Sequence, residues 1–354
     1  MMRIYADAGG TSCAVVSDAI LEGLNRRRTG KCGARTGCWV CQQAHDKSLR
    51  TMVETDERYF YARGLVRFNE YLHAIRHDWT RRCWIGRTVA EGHLCVQPDT
   101  FHPMEVRRQA RMLMQLDFDE YQRAQRTGEN PRFSILPLEM LITLDAWWSL
   151  TGLARPHALW ADWDAIQAGT RFDVPTNLIA APESRQPDAR FLNVGKEWDS
   201  SVWDGLRDVY VEGLLEMSNC KPEVRDGLWD IETEQCFDVD AEGAQLFAMF
   251  ELPEVLKRSR EPMPPGGITS AFKRYMMLGT IQLSHGQRRT TDIELRRTAM
   301  KDRLGLCCDY DLNKVLGMSC GYSDMPQEAR EAWRHKATTA TAQAALFEPC
   351  ALAA

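Results

Sequence analysis

The stretch "GKCGARTGCWVCQQAHDKSL", residues 30–49, holds Cys32, Cys38 and Cys41, the last two as a C-x2-C pair, and Cys13 precedes them in "DAGGTSC". Four thiolates close the shell of either a tetrahedral zinc ion or a [4Fe–4S] cube. Structural zinc usually takes two short-spaced knuckles, and this stretch has one. A cubane spreads its irons over a larger body and accepts irregular ligand spacing more readily. The spacing therefore favours an iron–sulfur cluster on Cys13, Cys32, Cys38 and Cys41, with zinc as the alternative. A thioredoxin-like dithiol fits poorly, because no βαβ frame surrounds the pair. Four cysteinates carry four negative charges, and Arg26, Arg27, Arg28, Lys31 and Arg35 lie beside them in sequence. These cations would offset that charge or receive an anionic partner; the plain alternative is a solvated charged loop. Trp39, inside the pair, is expected to shield the cluster from water.

Other combinations carry weaker signals. His73 and His77 stand four apart on an expected helix, a spacing that can ligate a metal from one face. No Glu or Cys is taken to complete that set, so exposed helix histidines are expected. Cys83, His93, Cys95 and His102 are weighed as a second set and taken as loop and core residues. The segment "SHGQRRTTDIELRR", residues 284–297, gathers His285, Arg288, Arg289, Arg296 and Arg297 around a helix start. A helix N-terminus with arginines suits phosphate, so Arg288 and Arg289 are candidate DNA-backbone or partner contacts, against an ordinary basic helix face.

The elements around these residues are expected to be mainly α with little strand. Leu49, Met52 and Val53 fall at helical spacing, as do Leu65, Phe68, Leu72 and Ile75. Pro103 suits a first helical position, opening an amphipathic helix over 104–126. A nearly all-apolar helix is expected over 135–151, stopping at Gly152. Trp203, Leu206, Tyr210, Leu214 and Met217 outline another, and Asp240 would cap one containing Leu246, Phe247 and Phe250. "TTDIELRRTAMKDRLG" carries an apparent capping box, Thr291 with Glu294, and ends at Gly305. Gly, Pro, Asn and Asp crowd 169–200, suggesting a boundary. The expected organisation is an irregular cysteine-rich segment, 1–55, a helical domain, 56–168, and a second mainly helical domain, 190–354.

The chain has 354 residues, of which 44% are hydrophobic and 26% charged, with a net charge of -5. It is long enough for a sizeable core, and it is not a wholly basic nucleic-acid binder, so an anionic partner must meet a local patch. The opening "MMRIYADAGG" has no apolar run of the signal-peptide kind, and the most apolar stretch, "ILPLEMLITLDAWWSL", contains Glu139 and Asp145. A cytoplasmic protein with no membrane partner is expected. In a reducing compartment twelve cysteines favour metal or sulfur chemistry for the clustered ones over a disulfide framework.

The blocks "YADAGGTSC" and "KCGARTGCWVCQQAHDKSL" resemble the cysteine-rich stretch that follows the ATP-binding domain in DndC-type sulfurtransferases. Those are phosphoadenosine-phosphosulfate-reductase-like proteins of DNA phosphorothioation and related bacterial defence. The likeness covers the Gly-Gly turn before Cys13, the "CG" at Cys32, the "GCWVC" block and the "DKS" opening the next helix, and is looser to about residue 165. It implies a [4Fe–4S] cluster on Cys13, Cys32, Cys38 and Cys41 in a protein that helps move sulfur to DNA. The chain departs from the family in lacking its SGGxDS pyrophosphatase loop; "DAGGTS" occupies the place of the cluster turn instead. The resemblance thus implies the C-terminal part of such an enzyme, inactive alone. Its partners would be an ATP-binding sulfurtransferase domain or other defence proteins, and DNA. The rival expectation is a non-catalytic zinc- or cluster-stabilised interaction module of a defence complex. A redox regulator would share the same ligands.

Overall fold

The computed structural model describes residues 39–40, 47–196, 224–225, 228–229, 237–239, 241–283 and 288–335. Cys13, Cys32, Cys38, Cys41, Arg26, Arg27, Arg28, Lys31 and Arg35 lie outside the described residues, as do Asp240 and the expected helix through Trp203 and Met217.

The described chain is mainly helical. Helix α1 is Lys47–Thr55 and leads through a 3-10 turn, Glu57–Ala62, into α2, Arg63–Ile75. Asp78 then caps a second 3-10 turn, Trp79–Arg81, its side chain accepting from the Thr80 amide. Strands β1, Ile85–Ala90, and β2, His93–Val96, form a hairpin around Glu91 and Gly92, both in the left-handed region. That conformation gives the primed turn whose twist suits a two-residue hairpin. The long α3, Pro103–Thr127, starts as its sequence predicts: Pro103 sits in the first turn, the His102 ring accepts from the Met104 amide, and Gly128 closes the other end at φ 69°.

Helices α4, Leu138–Thr151, and α5, Ala158–Gln167, follow. Beyond the irregular 169–189, β3, Arg190–Asn193, pairs antiparallel with β2 in the register Leu94↔Leu192. The described residues then supply two-residue strands β4, Val224–Arg225, β5, Leu228–Trp229, and β6, Phe237–Asp238. Helices α6, Ala241–Phe250, α7, Leu252–Ser259, and α8, Ser270–Met277, come next. After them stand β7, Gln282–Leu283, paired with β6, then α9, Arg288–Arg303, α10, Leu312–Met318, and a last helical stretch, 327–335.

Hydrophobic cores are assembled from both sides of the 169–189 stretch. Leu141, Ile142, Leu150, Leu159 and Trp160 pack with Phe247, Phe272, Tyr275 and Leu283. The three-stranded sheet buries Ile85, Leu94, Val96 and Leu192 against Met300, Leu306, Tyr310 and Val315. Phe68, Tyr71, Leu72 and Ile75 of α2 meet Met112 of α3 and Val174.

The segment 278–306 has a structural role at the end of α4. The last carbonyls of a helix need partners, and a cation there also suits the macrodipole. Thr298 donates to the Leu150 carbonyl at 2.6 Å, Lys301 to Thr151 at 2.6 Å, and the Cys308 amide to Gly152 at 3.1 Å. Gly152, at φ 69°, permits this closure: a Cβ there would lie 2.7 Å from the Cys307 sulfur. The expected capping box is corrected. Helix α9 begins at Arg288, so Thr291 and Glu294 lie inside it, and Thr291 is buried. The expected stop holds: Gly305 takes φ 68° and the Leu306 amide reaches back to Lys301. Among the described residues, no helix is long and apolar enough to cross a membrane.

Candidate functional site

Of the cysteine-rich stretch, Trp39 and Val40 are described, and they form a turn between Cys38 and Cys41. The turn is fastened to α2. The buried Asn69 donates to the Trp39 carbonyl at 2.9 Å, and the Trp39 ring meets Phe68 edge-on at 5.7 Å. Trp39 also packs against the clusters built on Leu49 and Leu65 and on Phe68 and Tyr71. Its ring thus goes into the helical body, where it positions the C-x2-C turn; that docking was not expected from sequence. A turn held at its carbonyl and ring suits a short-spaced thiolate pair, while the four thiolates themselves lie outside the described residues.

The next turns of the same helix carry a second feature. Glu70 and His73 on α2, Arg76 at its end and His77 just beyond line a pocket of about 560 Å³, which Thr176 and Glu183 close from the other side. The loop bearing Glu183 is tied down at both flanks. The Ala181 amide donates to the Ala74 carbonyl at 2.8 Å, and Trp79 Nε1 donates to Ser184 at 2.8 Å. His73 is buried at 9% exposure, so the expectation of exposed helix histidines is corrected. Both ring nitrogens of His77 are sealed from solvent without a hydrogen-bond partner. Its ring stands edge-on to Trp79 at 6.0 Å. Glu70 and Glu183 line the same pocket, but no Glu comes close enough to complete a metal set with the two histidines among the described residues. Glu70 and His73 share one face of α2, whereas His77 follows in the turn beyond its end.

Next to this helix, α2 and α3 are joined by a charged network. The Tyr71 hydroxyl donates to Glu105, and Arg81 donates to the other oxygen of that carboxylate at 2.9 Å. Burial, then the Glu105 carboxylate, pushes the Tyr71 hydroxyl pKa well up. Further along α3, burial opposes ionisation of Glu120, but the bonds from Arg132 and Arg123 outweigh it and hold its pKa at about 2.

A third constellation lies wholly in the core. Asp145 of α4, 1% exposed, accepts from the Tyr275 hydroxyl at 2.7 Å, and His157 Nδ1 lies 3.1 Å from the same oxygen. Trp160 Nε1 donates to the Tyr275 hydroxyl at 2.6 Å. His157 holds φ 62°, unusual for a residue with a side chain, at the start of α5. Burial and the neighbouring carboxylate push the Tyr275 pKa far up. None of these four side chains leaves a buried polar atom without a partner. The arrangement links three helices and has no open face for a substrate.

The remaining candidates are dispersed. The Cys83 thiol faces the Ile85 carbonyl, His93 Nδ1 lies 2.8 Å from the Glu91 carbonyl, and His102 caps α3 while its ring approaches Tyr310 at 4.9 Å. The half-buried thiol of Cys307 has its pKa pushed up to about 12, chiefly by desolvation, which suits a packed side chain rather than a thiolate ligand. Arg296 pairs with Asp292 at 3.0 Å and Arg297 with Glu294 at 2.6 Å, both along α9 itself. Arg288 and Arg289 stand on its first turn by backbone, and their side chains lie outside the described residues. Among the described residues, no three His, Cys, Asp or Glu side chains converge closely enough to hold a metal ion.

No protein-family model, curated protein or solved structure matches the chain.

Proposed function

We propose that the chain is an iron–sulfur subunit or fragment of a DndC-like sulfurtransferase, taking part in sulfur transfer to DNA with ATP activation supplied elsewhere. Cys13, Cys32, Cys38 and Cys41 would hold the [4Fe–4S] cluster, which would accept and relay sulfur or shape the site that does so. The resemblance of "GCWVC" and its flanks to that family carries the reading. The docking of Trp39 supports it: the one described turn of the segment is anchored at its carbonyl by a buried amide and at its ring by Phe68. A thiolate pair on an anchored turn is preorganised, which lowers the ordering cost of closing a metal shell.

Arg26, Arg27, Arg28, Lys31 and Arg35 would form a basic rim beside the cluster. In a chain of net charge -5 that rim is the patch to which a phosphate backbone or an acidic partner face would be drawn, weakening as salt rises. With no phosphate-cradling loop in the sequence, the isolated chain neither binds ATP nor releases pyrophosphate under this reading.

The test is the metal content of the full chain purified without oxygen. The reading expects a brown protein with about four irons and as many acid-labile sulfides per chain. Cys38→Ser and Cys41→Ser each lose most of that iron. Stoichiometric zinc without labile sulfide would instead favour the zinc-stabilised interaction module.

A further inference from the structure

We propose that the pocket between α3, α5 and the loop 131–136 binds an organic cation of the methylated-ammonium kind. It is separate from the cysteine segment and stands or falls independently of the iron–sulfur reading. Four aromatic side chains line this pocket of about 400 Å³: Phe118 and Tyr121 on α3, Phe133 in the loop and Trp163 on α5. The volume is that of a small-molecule site, and rings with a few polar groups are the usual lining of one. Aromatic rings attract a cation through their quadrupole, and a group of rings is the common receptor for a quaternary ammonium. A fully methylated ammonium suits such walls better than a bare one, because it brings no N–H that must find an acceptor.

The charge at the wall is a second, independent observation. Among the described residues that line the pocket, Asp117 alone carries a formal charge. Its half-buried carboxylate accepts from the Ile135 amide at 2.7 Å and from the Leu136 amide at 2.6 Å. Those bonds fix it in place, but no described cation pairs with it, and burial raises its pKa against the pull of the two amides. Arg123 on the same helix and Arg132 on the same loop are instead taken up by Glu120. A partly desolvated carboxylate without a countercharge favours a cation nearby over a neutral or anionic ligand. It selects the sign of the ligand through its field and does not have to touch it. The plain alternative is an aspartate that only holds the loop, and the test separates the two.

The probe is choline, set against dimethylbutanol, its neutral isostere with carbon in place of the charged nitrogen. Both are titrated into the full chain by calorimetry. The expected result is saturable choline binding at millimolar concentration or below, with the alcohol at least about tenfold weaker. Tyr121 is 52% exposed, so its variants are expected to fold. Tyr121→Leu keeps an apolar wall but loses the ring, and should weaken choline at least about threefold without changing the alcohol; Tyr121→Phe restores choline binding. Asp117→Asn should also weaken choline and spare the alcohol, a split that an aspartate serving only the loop would not give. A trimethyl-lysine peptide distinguishes the source of the cation: tighter binding than choline points to a group carried on a protein, and weaker binding to a free small molecule. The proposal is overturned if choline does not bind at millimolar concentration, or if the alcohol matches it, which would mark a plain apolar pocket. It is also overturned if choline binds the wild type, Tyr121→Leu and Asp117→Asn equally. Adenosine monophosphate binding in place of choline, lost in Tyr121→Leu, would mark a base-stacking site and overturn it too.

Discussion

The core constellation of Asp145, His157 and Tyr275 and the pocket around His73 and His77 use the same residue types to opposite ends. In the core, each polar side-chain atom that burial cuts off from water has a partner. Asp145 takes the Tyr275 hydroxyl and His157, and Trp160 completes the chain of bonds. In the pocket, His77 has two sealed nitrogens and nothing to bond. A satisfied network fixes helices against one another and offers a ligand no purchase. An unsatisfied imidazole sealed from water is instead a cost that the rest of the fold offsets. Histidine and carboxylate at helical spacing are therefore ambiguous until their partners are known.

The strongest way to break the contrast is to remove the shared acceptor in the core. Asp145→Ala strands the Tyr275 hydroxyl and His157 in an apolar interior, and should cost about 3–5 kcal/mol in denaturant-induced unfolding. A loss of under about 1 kcal/mol would show that the core network is dispensable.

Glu120 extends the same logic to acid. Its bonds to Arg123 and Arg132 hold its folded pKa at about 2, below the ordinary carboxylate value. A depressed carboxylate stabilises the fold above its unfolded pKa, and that share is lost as pH falls towards the folded one. Wild-type stability should therefore fall between about pH 4.5 and 2 from this group. Glu120→Gln should lower stability by about 2 kcal/mol at neutral pH and flatten that part of the acid limb. An unchanged acid limb in a pH series of unfolding curves would sink the assignment.

A smaller effect is expected at the end of α4. Lys301→Met removes the ammonium from the Thr151 carbonyl and should cost about 1 kcal/mol, screened little by salt because the contact is half-buried. Thermal unfolding at low and high ionic strength checks both parts.

Much of the helical frame was legible because its signals are local. Pro103 at a first turn, Gly152 and Gly305 beyond last turns, and the apolar stripe Leu65, Phe68, Leu72 and Ile75 each act over a few residues. The strands were harder. The Glu91–Gly92 hairpin has a weak turn signal, and β2 finds its other partner, β3, only after three helices have intervened. The capping box at Thr291 misled for a related reason: a local pattern of Thr and Glu looked like a helix start, whereas burial against the end of α4 carries the helix through it. At the pocket beside α2 the spacing of Glu70 and His73 was readable, but the approach of Glu183 was not, because long-range contacts such as those at Ala181, Ser184 and Gln186 hold its loop there. The core triad was illegible for the same reason, with its members on α4, at the start of α5 and on α8.

The contrast between the two histidine sites is tested most directly by one paired measurement. His77→Leu and His157→Leu are compared by urea unfolding of the metal-free chain. His157→Leu should lose several kcal/mol, since it leaves Asp145 buried with one bond fewer and places leucine at φ 62°. His77→Leu should be neutral or stabilising, because it removes two orphaned polar atoms and breaks no hydrogen bond. Equal losses at the two positions would contradict the account, and would mean that His77 is as structural as His157.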